Sequence, residues 1–313
     1  MKLHYGAWLI LLFPLFISAQ KTDELDEQGS KLIAQGKFRD AVKLYSKGIE
    51  SDDHKPVYFY KRGVAHRESK ESQQAYEDLS TAIKLDNTYA EAFLERASIL
   101  NSASMYQQAI NDLDMAIKYA QADTTRYKSL LFRSSLRMSV RNFKGAYEDS
   151  RSCFDHDTSS RDALINMAGA KLELDEKEAA IGYLQKIIDA HPKDTMALMN
   201  MGYSNLRMEK YDTALTFLMR AYELDPKNPF TLSNMSYAKL KLGRAKEALK
   251  DVNASLHIYP LNSYALRNRG LIYLELNENE KACEDLHAAL KNGFTDMYGN
   301  EVLNLVQENC KKK

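Results

Sequence analysis

One alanine returns along almost the whole chain: Ala41, Ala75, Ala109, Ala146, Ala180, Ala214, Ala248 and Ala282. Every spacing is 34 residues except one of 37. A fixed period of this length means a small supersecondary unit copied in tandem, and this limits the fold before any propensity is weighed. With these alanines at position 20 of a 34-residue repeat, other columns align. Position 8 is small throughout: Gly29, Gly63, Ala97, Ser134, Ala168, Gly202, Ser236 and Gly270. Position 4 is large and apolar, from Leu25 and Phe59 to Leu232 and Leu266. Position 28 carries Ile49, Ile83, Ile117, Phe154, Ile188, Tyr222, Leu256 and Leu290. Position 32 is proline in three consecutive repeats, at Pro192, Pro226 and Pro260.

Positions 4 and 8 share one helical face, and so do 20, 24 and 27. Small residues at 8 and 20 let two helix backbones approach, and large ones at 4 and 28 fill the space beside them. Proline at 32 cannot continue the second helix and opens the turn into the next repeat. Each repeat is thus a helix–turn–helix that buries its apolar face only by stacking on its neighbours. Composition agrees. Six prolines and 13 glycines are too few for a many-turned β-sandwich. The 43 basic and 43 acidic residues cancel, which excludes the broad basic field of a nucleic-acid binder.

The pattern resembles the tetratricopeptide repeat (TPR) family. Residues 195–228 carry that family's leucine, glycine, tyrosine, two alanines and proline at matching positions. The resemblance implies an all-α fold, an α–α superhelix of about eight helix-turn-helix repeats over 22–296, with a three-residue insertion around 121–126. Positions 11 and 17 depart from the family pattern, with His66, Arg137, Lys177 and Asn279, and the fourth repeat is the least regular. Residues 295–313 read as a C-terminal capping helix and basic tail, with Val302, Leu303 and Val306 spaced for one apolar face.

Residues 1–19 read as a secretory signal peptide, with an uncleaved N-terminal anchor as the alternative: Lys2 and His4, an apolar run over 7–17, then Ser18 and Ala19, with cleavage expected after Ala19. Pro14 breaks the run, which is too short to span a bilayer comfortably, and no later segment is apolar enough to do so. The expectation is an exported, periplasmic or secreted chain with no stable membrane span after cleavage.

Charged residues recur in register. Arginine stands at position 7 as Arg62, Arg96, Arg133 and Arg269, and aspartate at position 23 as Asp78, Asp112, Asp149, Asp251 and Asp285. The second, third, fourth and eighth repeats have both, which predicts the ion pairs Arg62–Asp78, Arg96–Asp112, Arg133–Asp149 and Arg269–Asp285. The fifth and sixth repeats have neither and carry Met167 with Tyr183, and Met201 with Phe217. The seventh has Met235 opposite Asp251, which leaves Asp251 to reach Arg269 of the next repeat. Cys153, at position 27, reads as a core residue. Cys283 and Cys310 mark the start of one helix and the end of another; a disulfide stapling the cap and two separate thiols both remain open.

No two of the seven histidines have zinc-ligand spacing, and no phosphate loop or nucleophile elbow is present. No metal, cofactor or catalytic residue is expected, and the chain reads as non-enzymatic. The resemblance places the first helices on a concave groove, with positions 2, 5, 6, 9 and 12 facing it. Position 6 is asparagine in four consecutive repeats: Asn166, Asn200, Asn234 and Asn268. A row of amides can hydrogen-bond an extended peptide backbone, or can simply solvate the helices. Met196, Met199, Tyr203, Phe230, Tyr237, Tyr264 and Arg267 complete the expected lining of the later repeats. Tyr60, Lys61, Arg67, Glu91 and Glu95 make the earlier lining more charged. The expected partner is a protein or peptide, bound by the fifth to eighth repeats. The alternative is a structural subunit of an envelope complex that uses its convex face or its ends.

Overall fold

The computed structural model describes residues 13–310. All regular structure among them is helical. Two compact bodies divide the chain, Met1–Thr158 and Ser159–Lys313. The first holds four helix pairs: α1 (Phe13–Ala34) with α2 (Phe38–Ser51), α3 (Pro56–Glu68) with α4 (Ser72–Leu85), α5 (Ala90–Ser102) with α6 (Tyr106–Tyr119), and α7 (Asp123–Ser139) with α8 (Phe143–His156). The second holds four more: α9 (Arg161–Glu173) with α10 (Lys177–Ala190), α11 (Thr195–Arg207) with α12 (Tyr211–Leu224), α13 (Pro229–Lys241) with α14 (Ala245–Ile258), and α15 (Ser263–Glu275) with α16 (Asn279–Lys291). Two short helices follow, α17 (Phe294–Tyr298) and α18 (Glu301–Asn309). Each body is an all-α solenoid segment in which every helix packs on the next. Of the expected signal peptide, residues 1–12 lie outside the described residues, and the expected cleavage point after Ala19 falls within α1.

The repeat columns act at the helix crossing. A Cβ on Gly202 would stand 2.5 Å from Leu218 Cγ and 3.3 Å from the Ala214 carbonyl oxygen. On Gly270 it would stand 2.8 Å from Leu286 Cγ and 3.4 Å from the Ala282 carbonyl. Position 8 therefore sits against position 20 backbone and the position 24 side chain. The fourth repeat solves the same contact with polar groups. Ser134 there shares a 2.6 Å hydrogen bond with Ser150 and reaches the Ala146 carbonyl at 2.8 Å. Ala41, Ala75, Ala109, Ala146, Ala180, Ala214, Ala248 and Ala282 are all fully buried.

The turn inside each pair has one geometry. Position 15 is left-handed in every repeat: Gly36, Lys70, Ser104, Arg141, Asp175, Glu209, Gly243 and Asn277, with φ between 58° and 73°. The amide of the following residue returns to the carbonyl five residues back, as from Glu71 to His66 at 2.9 Å and from Glu278 to Tyr273 at 2.8 Å. This is a Schellman closure, which satisfies carbonyls that the helix end would otherwise leave free. Between pairs, position 34 caps the next helix in the second body. Ser160, Asp194, Asn228 and Asn262 each accept from a first-turn amide. The second helices end at Ala190, Leu224 and Ile258, two residues before Pro192, Pro226 and Pro260.

The cap differs from the single helix expected over 295–309. Gly299, at φ 84° and ψ −166°, takes a backbone that no helix continues, and it separates α17 from α18. The apolar face differs too. Val302 is fully buried and Leu305 and Val306 pack against the same cluster, while Leu303 points outward. Cys283 at the start of α16 and Cys310 after α18 form a disulfide, so the pairing alternative describes the molecule. Cys153 is buried, its thiol 3.6 Å from the Tyr127 carbonyl, and burial pushes its pKa up to about 11, with Asp149 adding to the shift.

Candidate functional site

The four arginines at position 7 do more than pair across a repeat. Arg62 holds Asp78 through Nε at 2.8 Å and Nη2 at 2.7 Å, and sends Nη1 to Ser46 of the preceding pair at 3.0 Å. Arg96 repeats this with Asp112 and Ser80. Arg133 does so with Asp149 and Asp114, and Arg269 with Asp285 and Asn253. Each guanidinium therefore links two consecutive helix pairs, with its flat fork matched to a carboxylate. These groups serve packing.

Asp251 does not reach Arg269, whose fork is already taken. It lies 2.6 Å from Lys239 Nζ, at position 11 of its own repeat. Position 11 supplies partners to position 23 elsewhere as well: Arg137 lies 2.9 Å from Asp149, and His66 Nε2 3.8 Å from Asp78. The sequence signal was present in part: a basic residue at 11 accompanies aspartate at 23 in the second, fourth and seventh repeats, while Lys171 of the fifth stands with Tyr183. It reads as irregularity against the family pattern, although all three pairs share one separation of 12 residues.

The first helix of each pair also touches the first helix of the next: α1 with α3, α3 with α5 and α5 with α7 in one body, then α9 with α11, α11 with α13 and α13 with α15 in the other. First helices thus lie on the inner side of each body. In the N-terminal body this side is charged but internally paired. Lys61 donates to Ser30 at 3.0 Å, Arg67 lies 2.9 Å from Glu95, and Thr125 donates to Glu91 at 2.9 Å. Tyr60 and Tyr89 stand 4.9 Å apart, and burial raises both phenols and the Glu95 carboxyl.

The C-terminal body separates the asparagine row. Asn166 and Asn200 are half-buried on α9 and α11, and Asn234 on α13 is 8% exposed. Among the described residues, nothing hydrogen-bonds the Asn200 or Asn234 side chain. Asn268 departs from the expected lining. It is fully buried, donates to the Ser233 carbonyl at 3.0 Å and hydroxyl at 3.1 Å, and accepts from Arg267 at 2.8 Å. Met199, Tyr203 and Tyr237 pack as half-buried residues around one cluster. Phe230 is 51% exposed and meets Tyr259 edge-on. Met196 is exposed nearby in sequence register.

Tyr264 and Arg267 are not open lining either. The cap covers them. Tyr264 lies 5.4 Å from the Tyr298 ring and is stacked with Phe294. Arg267 lies between the rings of Tyr237 (4.7 Å) and Tyr264 (5.5 Å) and is paired with Glu301 of α18. Burial opposes its charge, but Tyr264 and Glu301 more than offset this, and its pKa is raised. Glu301 belongs to the cap, yet it stands one repeat period, 34 residues, after Arg267.

Residues 166–229 and 234–293 match the tetratricopeptide repeat family model. The chain is similar to DnaJ homolog subfamily C member 7 of Homo sapiens, 29% identical over 126 residues, 39% of this chain and 25% of the relative. RNA polymerase II-associated protein 3 of Mus musculus is 29% identical over 102 residues, 33% of this chain and 16% of the relative. The chain thus spans a quarter or less of these two relatives. A tetratricopeptide repeat protein of Parabacteroides merdae superposes with a TM-score of 0.63 at 15% identity, over 82% of this chain and 99% of that one. The C-terminal part of a repeat protein of Cytophaga hutchinsonii gives 0.57 at 17% identity, over 78% and 98%. At such identity these likenesses speak to the fold. The two matched segments are tetratricopeptide repeats, and the chain has the fold of such proteins, an all-α solenoid of about eight helix-turn-helix units.

Proposed function

We propose that the protein is a non-catalytic scaffold that holds an extended peptide or protein segment on the inner face of its C-terminal body. The observation that carries this reading is the pair of unengaged amides, Asn200 and Asn234, on the neighbouring helices α11 and α13. Both amides reach solvent and so can exchange water for the donors and acceptors of a peptide backbone. Tyr203, Tyr237 and Met199 beside them offer the aromatic and thioether surface common at protein interfaces. The proposed place of work is outside the cytoplasm, periplasmic or secreted. The Cys283–Cys310 disulfide supports it, because such bonds persist in oxidising compartments. The test is photo-crosslinking from position 199 in the full chain, followed by identification of the captured partner. Substituting Asn200→Ala and Asn234→Ala together abolishes capture while the helical signal stays intact; capture that survives the double change refutes the reading.

A second reading, assembly through an edge, is favoured by an apolar strip at the pair junctions. Phe230, Ile258, Tyr259 and Leu261 are all exposed there, Leu261 at 64%. Changing Leu261 and Ile258 to serine separates the two readings, since only assembly should respond.

A further inference from the structure

We infer that Arg267 is a carboxylate receptor, occupied within the chain by Glu301 and opened to an acidic peptide when the Cys283–Cys310 disulfide is reduced. This rests on the reading that the inner face binds an extended peptide. Arg267 is 6% exposed, and two tyrosine rings fix its plane. Its Nη1 is taken by Asn268, and its Nη2 by a single oxygen of Glu301. Its Nε is buried and has no hydrogen-bond partner. The Nε–Nη2 edge of a guanidinium is the edge that grips a carboxylate with two parallel bonds. Glu301, fixed on α18, uses half of that edge. A carboxylate free of α18 can satisfy both donors and so exceeds the internal ligand.

What keeps Glu301 in place is the cap. The α18 helix is anchored by Val302 in the core at one end and by the disulfide at the other. A dithiol reductant supplies the two electrons and two protons. It leaves as its own disulfide, and Cys283 and Cys310 become thiols. With that tie gone, α18 is a nine-residue helix, too short to be stable by itself, and its hold on Arg267 weakens.

Fluorescein-labelled hexaglutamate, titrated into the full chain and read by anisotropy, tests this. Hexaglutamine is the neutral control. Oxidised protein binds hexaglutamate weakly. Dithiothreitol, Cys310→Ser, and Glu301→Gln in the oxidised chain each tighten it about tenfold or more, the scale of one charge-assisted pair. Hexaglutamine shows no such gain. Arg267→Gln in the Cys310→Ser background returns binding to the oxidised level, and Arg267→Lys, which keeps charge but lacks the fork, recovers only part. If Arg267→Gln does not fold, the Glu301→Gln arm decides. Equal affinity in oxidised, reduced and Glu301→Gln protein overturns the inference, as does an equal gain for hexaglutamine. If hexaglutamate ignores reduction while Asn200 and Asn234 still govern partner capture, this inference fails and the groove reading stands.

Discussion

Arg96 and Asp112 meet fork to fork, with Nε to Oδ2 at 2.8 Å and Nη2 to Oδ1 at 2.7 Å. Asp112 is nearly buried, so neither charge can be left alone without penalty. Asp112→Ala is expected to destabilise by about 3 kcal/mol, read from urea unfolding. The double change Arg96→Met with Asp112→Tyr copies the residues of the fifth repeat, Met167 and Tyr183. It should lie within about 1 kcal/mol of the parent, because replacing a buried pair by packed apolar groups is close to neutral. A double variant as unstable as Asp112→Ala would refute this.

Lys70 and Ser104 occupy left-handed backbone at φ 63° and 58° and are exposed. Glycine relieves the Cβ crowding there but gains freedom in the unfolded chain. Lys70→Gly and Ser104→Gly should each stabilise by about 0.5–1 kcal/mol, measured as a raised unfolding midpoint.

Two helical glycines should respond in opposite directions to alanine. At Gly202 the new Cβ would press on Leu218, and the expected loss is about 1–3 kcal/mol. At Gly182 nothing lies within 4 Å, and Gly182→Ala should add about 0.5–1 kcal/mol through helix propensity. Calorimetry on the two single variants decides it.

Asp194 gives the second body a pH dependence. The Arg161 guanidinium beside it holds its carboxyl below the usual range, and the Ala197 amide helps. A depressed carboxyl contributes stability above its unfolded pKa, about 3.9, and loses it as pH falls through the folded value. Asp194→Asn keeps a side-chain acceptor for the helix cap but removes the charge. It should be less stable than the parent at pH 7 by no more than about 1 kcal/mol, since Arg161 is partly solvated. The two unfolding curves should converge in strong acid.

The helix pairs were legible because their columns answer to backbone geometry. Ala214 and Gly202 must be small wherever two helices cross this closely. The left-handed turn was not legible, because only Gly36 and Gly243 announce it; the other six repeats tolerate the strain in exchange for the carbonyls the turn satisfies. The asparagine row was visible as a column, yet Asn200 and Asn268 share that column and have opposite fates. Asn268 lies beside Ser233 of the preceding repeat and the buried Arg267, where the same columns around Asn200 carry Ile165 and Met199. Lys239–Asp251 and Arg267–Glu301 were missed although their separations, 12 and 34 residues, recur elsewhere, because position 11 and the cap stood outside the columns read for ion pairs.

The shared arginines also sort the repeats by how firmly neighbours are stitched. Pairs carrying Arg62, Arg96, Arg133 or Arg269 must break a guanidinium hydrogen bond to the preceding pair before they can part, and at Arg133 the partner, Asp114, is itself charged. The pairs bearing Asn200 and Asn234 have methionine at that place, Met201 and Met235, so sliding there tears nothing ionic at position 7. The joints beneath the two unengaged amides thus lack the position 7 link, and between the fifth and sixth repeats Arg161–Asp194 and Arg207–Glu173 supply the ionic ties in its stead.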